Sequence, residues 1–255
     1  MSQGPFERVA FDGDVRFAPT FGNAVAFLFT AEQGGQLFDL DCSYELIFTS
    51  DGWVTVSRSA TAGEFTPGGG AQAVLDFEAG APITFGIYSA NSTGQGGGTS
   101  ETFIDNFSVT LQLGSLLGVQ SCRPTAPNSV GGHPAIVATG SAVAGGNPLN
   151  LAVGCLPPNQ FGYFIVSQST GTVVGPGGSQ GTLCLAGAIG RFNAQIQNSG
   201  TGGALDIDVD TNQLPQPSGP VVVQPGETWH FQCWYRDNNP GATSNFSGLA
   251  SVQFL

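Results

Sequence analysis

Lysine is absent from this chain. All six basic residues are arginines, set against 18 carboxylates, for a net charge of −12. Phosphate backbones are gripped by clustered lysine and arginine, so a nucleic-acid partner is excluded, and an anionic membrane surface repels such a chain as well. Long apolar runs are missing too: none reaches the roughly 18 residues that a membrane span needs. The start, Met1-Ser2-Gln3-Gly4-Pro5, has neither a basic nor an apolar targeting region, so a signal peptide is expected to have been removed. The five cysteines lie at least 29 positions apart. That spacing makes no C-x-x-C knuckle or redox pair, and with only two histidines in the chain it leaves little for a zinc site.

What is present suits strands. The 255 residues include 39 glycines and 16 prolines, with only 9% charged residues, a composition of many short strands joined by tight turns rather than of helical bundles. The length suffices for two β domains, each with its own core. Acid is unevenly placed: residues 1–120 hold 13 carboxylates and 3 arginines, residues 121–255 hold 5 and 3. Either solubility in salty surroundings or cation binding accounts for the excess.

In the first half, Ala24 to Thr30 is β-rich. Ser43 to Thr49 and Trp53 to Ser59 alternate around Ser50-Asp51-Gly52 and are expected to pair as a hairpin. Ala73 to Phe77 and Ile83 to Ser89 read as strands about a turn. A glycine-rich loop from Asn91 to Ser100, lacking the context of a phosphate cradle, precedes a last strand from Phe103 to Leu111. The turn-rich stretch Gly114 to Ser129 marks a domain boundary, giving expected domains 1–118 and 119–255.

The most distinctive stretch is Trp229-His230-Phe231-Gln232-Cys233-Trp234-Tyr235-Arg236-Asp237. At period two it puts Trp229, Phe231, Cys233 and Tyr235 on one face and His230, Gln232, Trp234 and Arg236 on the other. Trp234 with Gln232 and Arg236 makes a sugar platform in which an aromatic face stacks on C–H groups while polar groups take hydroxyls; alternatively, Trp234 covers a second sheet. Asp206, Asp208 and Asp210 share one strand face, as a calcium surface or as an amphipathic edge strand.

Catalytic signals are weak. Gly177-Gly178-Ser179-Gln180-Gly181 fits G-x-S-x-G, but a strand former follows where a helix is required, so it reads as a loop. Nothing marks His133 or His230 as a general base. Asn91, Asn106 and Asn245 open N-x-S/T sequons, which fit an extracellular chain or turns. With four of five cysteines in the second half, two bridges there and a leftover thiol at Cys42 fit an oxidising compartment; buried free thiols are the alternative.

Two resemblances add to this reading. Leu75-Asp76-Phe77-Glu78-Ala79-Gly80-Ala81-Pro82-Ile83-Thr84-Phe85-Gly86-Ile87, a Gly/Ser loop and Ile104-Asp105-Asn106-Phe107-Ser108-Val109 resemble the end of jelly-roll modules of the carbohydrate-binding type from secreted bacterial proteins. The resemblance implies a structural calcium through Asp105, with Glu7, Asp12 and Asp14 as partners by kind. Cys122-Arg123-Pro124, Pro127-Asn128-Ser129, Pro157 to Ser167, Gly181-Thr182-Leu183-Cys184-Leu185, Ile189-Gly190-Arg191, Trp229 to Asp237 and Ser244-Asn245-Phe246-Ser247 resemble a β domain of unassigned function. That domain recurs in large secreted proteins of planctomycete-type bacteria. Motifs recurring there imply the pairings Cys122 with Cys184 and Cys155 with Cys233.

Together these readings give an all-β chain of two antiparallel, jelly-roll-like β-sandwich domains, the first acidic and the second disulfide-bonded. It is expected to be extracellular or cell-surface and to lack catalytic activity, serving adhesion or matrix structure; a carbohydrate-binding module pair from a larger hydrolase is the alternative. Expected partners are a surface glycan or other copies of the chain, as an oligomer or filament, with no cofactor beyond the calcium at Asp105, Asp12 and Glu7.

Overall fold

Alternating burial organises both halves of the chain. A computed structural model describes residues 6–19, 24–70, 73–77, 81–90, 100–113, 116–123, 125–145 and 149–255. The chain is all-β, built of antiparallel sheets, and divides into two units, Met1–Leu113 and Gly114–Leu255. No helix among the described residues is long and apolar enough to cross a membrane. The expected glycine-rich loop lies outside the described residues up to Ser100, where a strand begins.

The first unit contains β1 (Phe6–Pro19), β2 (Ala24–Gln33), β3 (Gln36–Asp39), β4 (Glu45–Phe48), β5 (Val54–Ala60), β6 (Thr66–Pro67), β7 (Ile83–Ala90) and β8 (Ser100–Leu113). One sheet has the order β5-β1-β8; in the other, β2 pairs with β4, β3 and β7, and β3 with β6. Along β1 the side chains of Val9, Phe11, Val15 and Phe17 point inward and are buried. Phe11 stacks on Phe29 of the opposite sheet with centroids 4.7 Å apart, and Phe85 meets Phe11 edge-on at 5.5 Å. Aromatic pairs therefore join the two layers, each adding to the burial of apolar area.

Two expectations are corrected here. β4 and β5 do not form a hairpin: β4 pairs with β2 and β5 with β1, in different sheets. The Asp51 carboxylate accepts the Phe48 N–H at 2.7 Å, so the turn caps the end of β4 and lets the chain cross to the other layer. Residues 73–77 are also not a ladder strand. Their backbone is held by a side chain instead: Gln33 accepts the Asp76 N–H and donates to the Asp76 carbonyl, both at 2.9 Å, while Leu75 and Phe77 are buried.

The second unit contains β9 (Val119–Ser121), β10 (Ile136–Gly140), β11 (Leu149–Val153), β12 (Phe161–Ser167), β13 (Ser169–Val174), β14 (Thr182–Ala186), β15 (Gly190–Arg191), β16 (Gln197–Asn198), β17 (Leu205–Val209), β18 (Thr228–Asn238) and β19 (Ala242–Gln253). The sheet β10-β11-β17 faces a larger one in which β12, β18, β19 and β9 run side by side, with β15 and β16 on β12. Their shared core includes Leu151, Val153, Ile207, Phe164, Trp229, Phe231, Cys233 and Tyr235. The β13–β14 hairpin covers the other face of the large sheet, over Ile165, Phe246 and Leu249. Residues 116–118, expected in the first domain, belong here: the Leu117 N–H donates to the Ala138 carbonyl at 2.8 Å. Gly190 admits no side chain, because a Cβ would collide with the Pro215 carbonyl.

β17 is an edge strand with Asp206 and Asp208 exposed and Leu205, Ile207 and Val209 buried. Gln197 donates to the Asp206 carbonyl at 2.6 Å and Gln195 to the Asp208 carbonyl at 3.1 Å, so side-chain amides occupy the backbone groups that would otherwise recruit another strand.

Cys122 and Cys184 are bridged, with Cα atoms 6.4 Å apart. The pairing of Cys155 with Cys233 is not formed. Cys233 is a free, fully buried thiol on the core side of β18, and burial pushes its pKa up. Cys155 lies beyond the end of β11 in a left-handed backbone conformation (φ 52°), its carbonyl accepting from the Asn128 amide. Cys42, expected as the leftover thiol, is disulfide-bonded, as is Cys155. The Cys122–Cys184 bridge spans 62 positions, and by loop-closure entropy its replacement by two alanines is expected to cost roughly 4 kcal/mol. Denaturant unfolding of the double variant measures this; an unchanged midpoint would mean the bridge does not constrain the unfolded chain.

Candidate ligand-binding face

Outward side chains of β1 alternate with its core residues, and the strands on either side extend them into rows. At one end, Arg16 pairs in register with Phe103 of β8, and Trp53 lies one residue before β5, next to the Val15–Val54 pair. The Arg16 guanidinium carbon is 5.4 Å from the Trp53 ring centroid and 4.8 Å from that of Phe103. Such contacts hold a cation over the negative faces of both rings. Trp53 remains 50% exposed and Phe103 37%. Arg16 Nε is buried without a hydrogen-bond partner, and no carboxylate among the described residues pairs with this guanidinium. The other arginines of the unit are engaged: Arg8 donates to Ser59, and Arg58 pairs with Glu45.

The next row is Thr55, Asp14 and Asp105. A β-bulge opposite Asp12 and Asp14 puts an extra residue into β8, and Asn106 takes φ 52°. The bulge re-aims the Asn106 amide, which donates to Asp14 at 2.7 Å, while the Thr55 hydroxyl donates to the same carboxylate at 2.6 Å. These two bonds, Thr55 first, hold Asp14 below its ordinary pKa of 3.8. In the third row the Ser57 hydroxyl donates to Asp12 at 2.7 Å, with Ser108 opposite. At about 3.4 Å per residue along the strand and 4.8 Å between strands, the three rows span roughly 14 Å by 10 Å. This face carries two aromatic rings, one guanidinium, three carboxylates and several hydroxyls.

Of the residues expected to hold calcium, Asp12 and Asp105 belong to this face, and Glu7 falls in β1 with its side chain outside the described residues. Among the described residues no three of His, Cys, Asp and Glu come together as a metal group. Neutral donors bond these carboxylates: Ser57 on Asp12, Thr55 and Asn106 on Asp14, and the Asn106 N–H on Asp105.

The Trp234, Gln232 and Arg236 set does not share an open surface. Gln232 is fully buried: it donates to the Thr182 and Ser247 carbonyls and accepts the Cys184 N–H, which ties the β13–β14 hairpin to the large sheet. Trp234 lies 5.0 Å from Tyr163 and packs into the cluster beneath that hairpin. Arg236 alone of the three is exposed. The alternative, Trp234 covering a further layer, is the one the packing follows.

Ser179 of the G-x-S-x-G stretch is buried in a loop and donates to the Ser244 carbonyl. His133 Nδ1 lies 2.7 Å from the Thr125 carbonyl. His230 Nδ1 lies 2.7 Å from the Ser251 hydroxyl, a serine–imidazole pair that sequence reasoning missed because the two strands are joined only through their register. No carboxylate among the described residues orients the ring, and burial lowers its pKa below 6.5. Asn245 is fully buried and its amide donates to the Ala126 carbonyl, so this sequon serves packing.

Sequence reasoning also missed the Trp53–Arg16–Phe103 row. Asp12, Asp14 and Arg16 do stand at period two, but Trp53 and Phe103 come from strands 37 and 87 positions away from Arg16. No family model matches the chain, and no curated protein matches it.

Replacing Thr55 by valine removes the larger influence on Asp14 and is expected to raise its pKa toward 3.8. A carboxyl held low stabilises the fold above its unfolded pKa, and that stabilisation is lost as pH falls through the folded value. Carboxyl-carbon NMR titration reads the shift, and an Asp14 that titrates identically in both proteins contradicts the hydrogen bond.

Proposed function

We propose that the protein is an extracellular, non-catalytic adhesion module whose first unit holds a neutral polysaccharide on the outer face of the β5-β1-β8 sheet. The observation that carries this reading is the Trp53–Arg16–Phe103 row, half-exposed rings framing a guanidinium beside carboxylates and hydroxyls. Aromatic faces take the C–H faces of sugar rings, and the polar rows take hydroxyls. An open sheet face suits an extended chain rather than a small molecule enclosed in a pocket. The carboxylates of Asp12, Asp14 and Asp105 disfavour a polyanion, which makes the ligand neutral. The disulfide chemistry and the resemblance to secreted bacterial modules support the extracellular placement.

The absence of catalysis is part of this proposal. Acyl transfer needs a nucleophile, a base and donors aimed at the developing oxyanion. Ser251 and His230 face one another across two paired strands, whose backbone N–H groups are committed to the ladder. Affinity electrophoresis against a panel of neutral polysaccharides tests the binding. The Trp53→Ala, Phe103→Ala double variant is expected to bind about tenfold or more weakly, since two aromatic contacts near 1 kcal/mol each are removed. Full retention by the double variant, or no binding to any neutral glycan, sinks the reading.

A second reading, self-association, has its own observation. Among the described residues β8 pairs only with β1, and Ile104 and Phe107 on it are 43% and 38% exposed. An edge strand that carries exposed apolar side chains is a template for another strand. Light scattering after gel filtration is expected to find a dimer or larger species that Ile104→Lys returns to monomer; a monomeric wild-type chain rules this out.

A further inference from the structure

The second sheet of the first unit has an outer face of its own, opposite the core. Along β2, Val25, Phe27 and Phe29 are buried, so Ala24, Ala26 and Leu28 point the other way. In register with them stand Phe48 beside Ala24, Leu46 and Ala90 on either side of Ala26, and Tyr88 beside Leu28. Tyr44, one residue before β4, continues the alternation of Leu46 and Phe48. Tyr44, Leu46, Phe48 and Tyr88 are 52%, 50%, 45% and 49% exposed. We propose that this face binds a second chain of the same neutral polysaccharide, so that the first unit cross-links two polysaccharide chains, one on each side of its sandwich. The inference rests on the glycan reading of the β5-β1-β8 face.

Residues 1–120 hold 13 of the chain's 18 carboxylates, yet no Asp, Glu or Arg stands in these three rows. Charge enters only further along β2, where Asp39 pairs with Thr30 and, one row on, Glu32 pairs with Leu37. A contiguous exposed apolar patch marks an interaction site. Two tyrosines and a phenylalanine offer ring faces to C–H groups, and the tyrosine hydroxyls can pair with sugar hydroxyls. Area decides against a protein as the occupant. At about 3.4 Å per residue and 4.8 Å between strands, the rows cover roughly 14 Å by 10 Å of sheet. Each partner in a stable protein interface buries about 800 Å². A chain one sugar wide is served by far less, and the patch matches the rows of the opposite face in extent.

The two faces point in opposite directions because their sheets pack on one another through Phe11 and Phe29. Stacked sheets lie about 10 Å apart, so two bound chains are held at a short, fixed separation with no hinge between them. Both faces select the same ligand: one sets carboxylates against a polyanion, and the other offers an anion no cation. A binder with one face coats a polymer, whereas a binder with two faces joins polymers, and simultaneous engagement strengthens retention without any new kind of contact. Matrix building then follows from a single unit.

The test is light scattering of the full chain mixed, over a range of molar ratios, with soluble neutral polysaccharides: hydroxyethyl cellulose, galactomannan and dextran. With a polysaccharide that binds, scattering is expected to rise several-fold to a maximum at an intermediate ratio and to fall again in excess protein, where each copy engages one chain only. The Tyr44→Ala, Tyr88→Ala variant, changed only at exposed side chains, is expected to keep the parent's melting temperature, to bind more weakly through Trp53 and Phe103, and to lose the maximum. The Ile104→Lys chain is expected to keep the maximum, which separates cross-linking by two faces from cross-linking by paired copies. Amide NMR on the parent needs no variant: short oligosaccharides of the bound polysaccharide are expected to shift Leu28 and Tyr88 as well as Arg16. A parent that binds through Trp53 and Phe103 but shows no maximum at any ratio overturns this proposal alone. A maximum kept by the Tyr44→Ala, Tyr88→Ala variant, or lost in the Ile104→Lys chain, also overturns it. A parent that binds no neutral polysaccharide overturns both this proposal and the reading on which it rests.

Discussion

Backbone groups left over by the β ladders are paired in this protein by glutamine side chains, and much of the architecture depends on that. A buried N–H or carbonyl without a partner costs as much as a lost hydrogen bond. Gln33 serves the 73–77 segment, which never joins a ladder yet buries Leu75 and Phe77. Gln195 and Gln197 close the edge of β17. Gln232, inside the second unit, matches the Cys184 N–H and the Thr182 and Ser247 carbonyls at once. A chain without lysine lacks the usual charged protection for strand edges. Side-chain amides, which donate and accept together, take that place without adding charge.

The consequence is clearest at Gln232. Sequence alternation put it on the open face of β18, beside Trp234 and Arg236, and the alternation itself is correct: Trp229, Phe231, Cys233 and Tyr235 fill the core. What alternation could not report was a third layer. The β13–β14 hairpin folds onto that face and converts a surface glutamine into a buried one. Period two says which residues share a face of a strand, and it is silent about what covers the face. The same limit explains β4 and β5. Asp51-Gly52 announces a turn, and a turn forms, with the Asp51 carboxylate capping Phe48; whether the chain then returns to the same sheet or crosses to the other depends on core contacts distant in sequence.

Long-range pairing also decides which candidate residues met. Asp12, Asp14 and Asp105 do share a face, because β1 and β8 are paired in register. Their hydrogen bonds come from Ser57, Thr55 and Asn106, two of them on β5, and no local pattern joins these strands. The cysteines divide in the same way. Cys184 on β14 of the hairpin meets Cys122 just beyond β9, whereas Cys233 lies mid-strand in the core, where burial holds its thiol protonated. Motif order along the chain carried the first pairing and misassigned the second, since order alone holds no depth.

Charge placement sets the character of the outer face of the first unit. The outer face of the first unit places three carboxylates within two rows of one guanidinium, and that guanidinium is held by rings rather than by a carboxylate. The neighbouring Asp14, already bonded by two neutral donors, keeps its charge without claiming the Arg16 cation. Coulomb interactions between exposed groups fade beyond a Debye length of about 8–10 Å at physiological salt, so each surface is governed by the few charges within it rather than by the net charge of the chain.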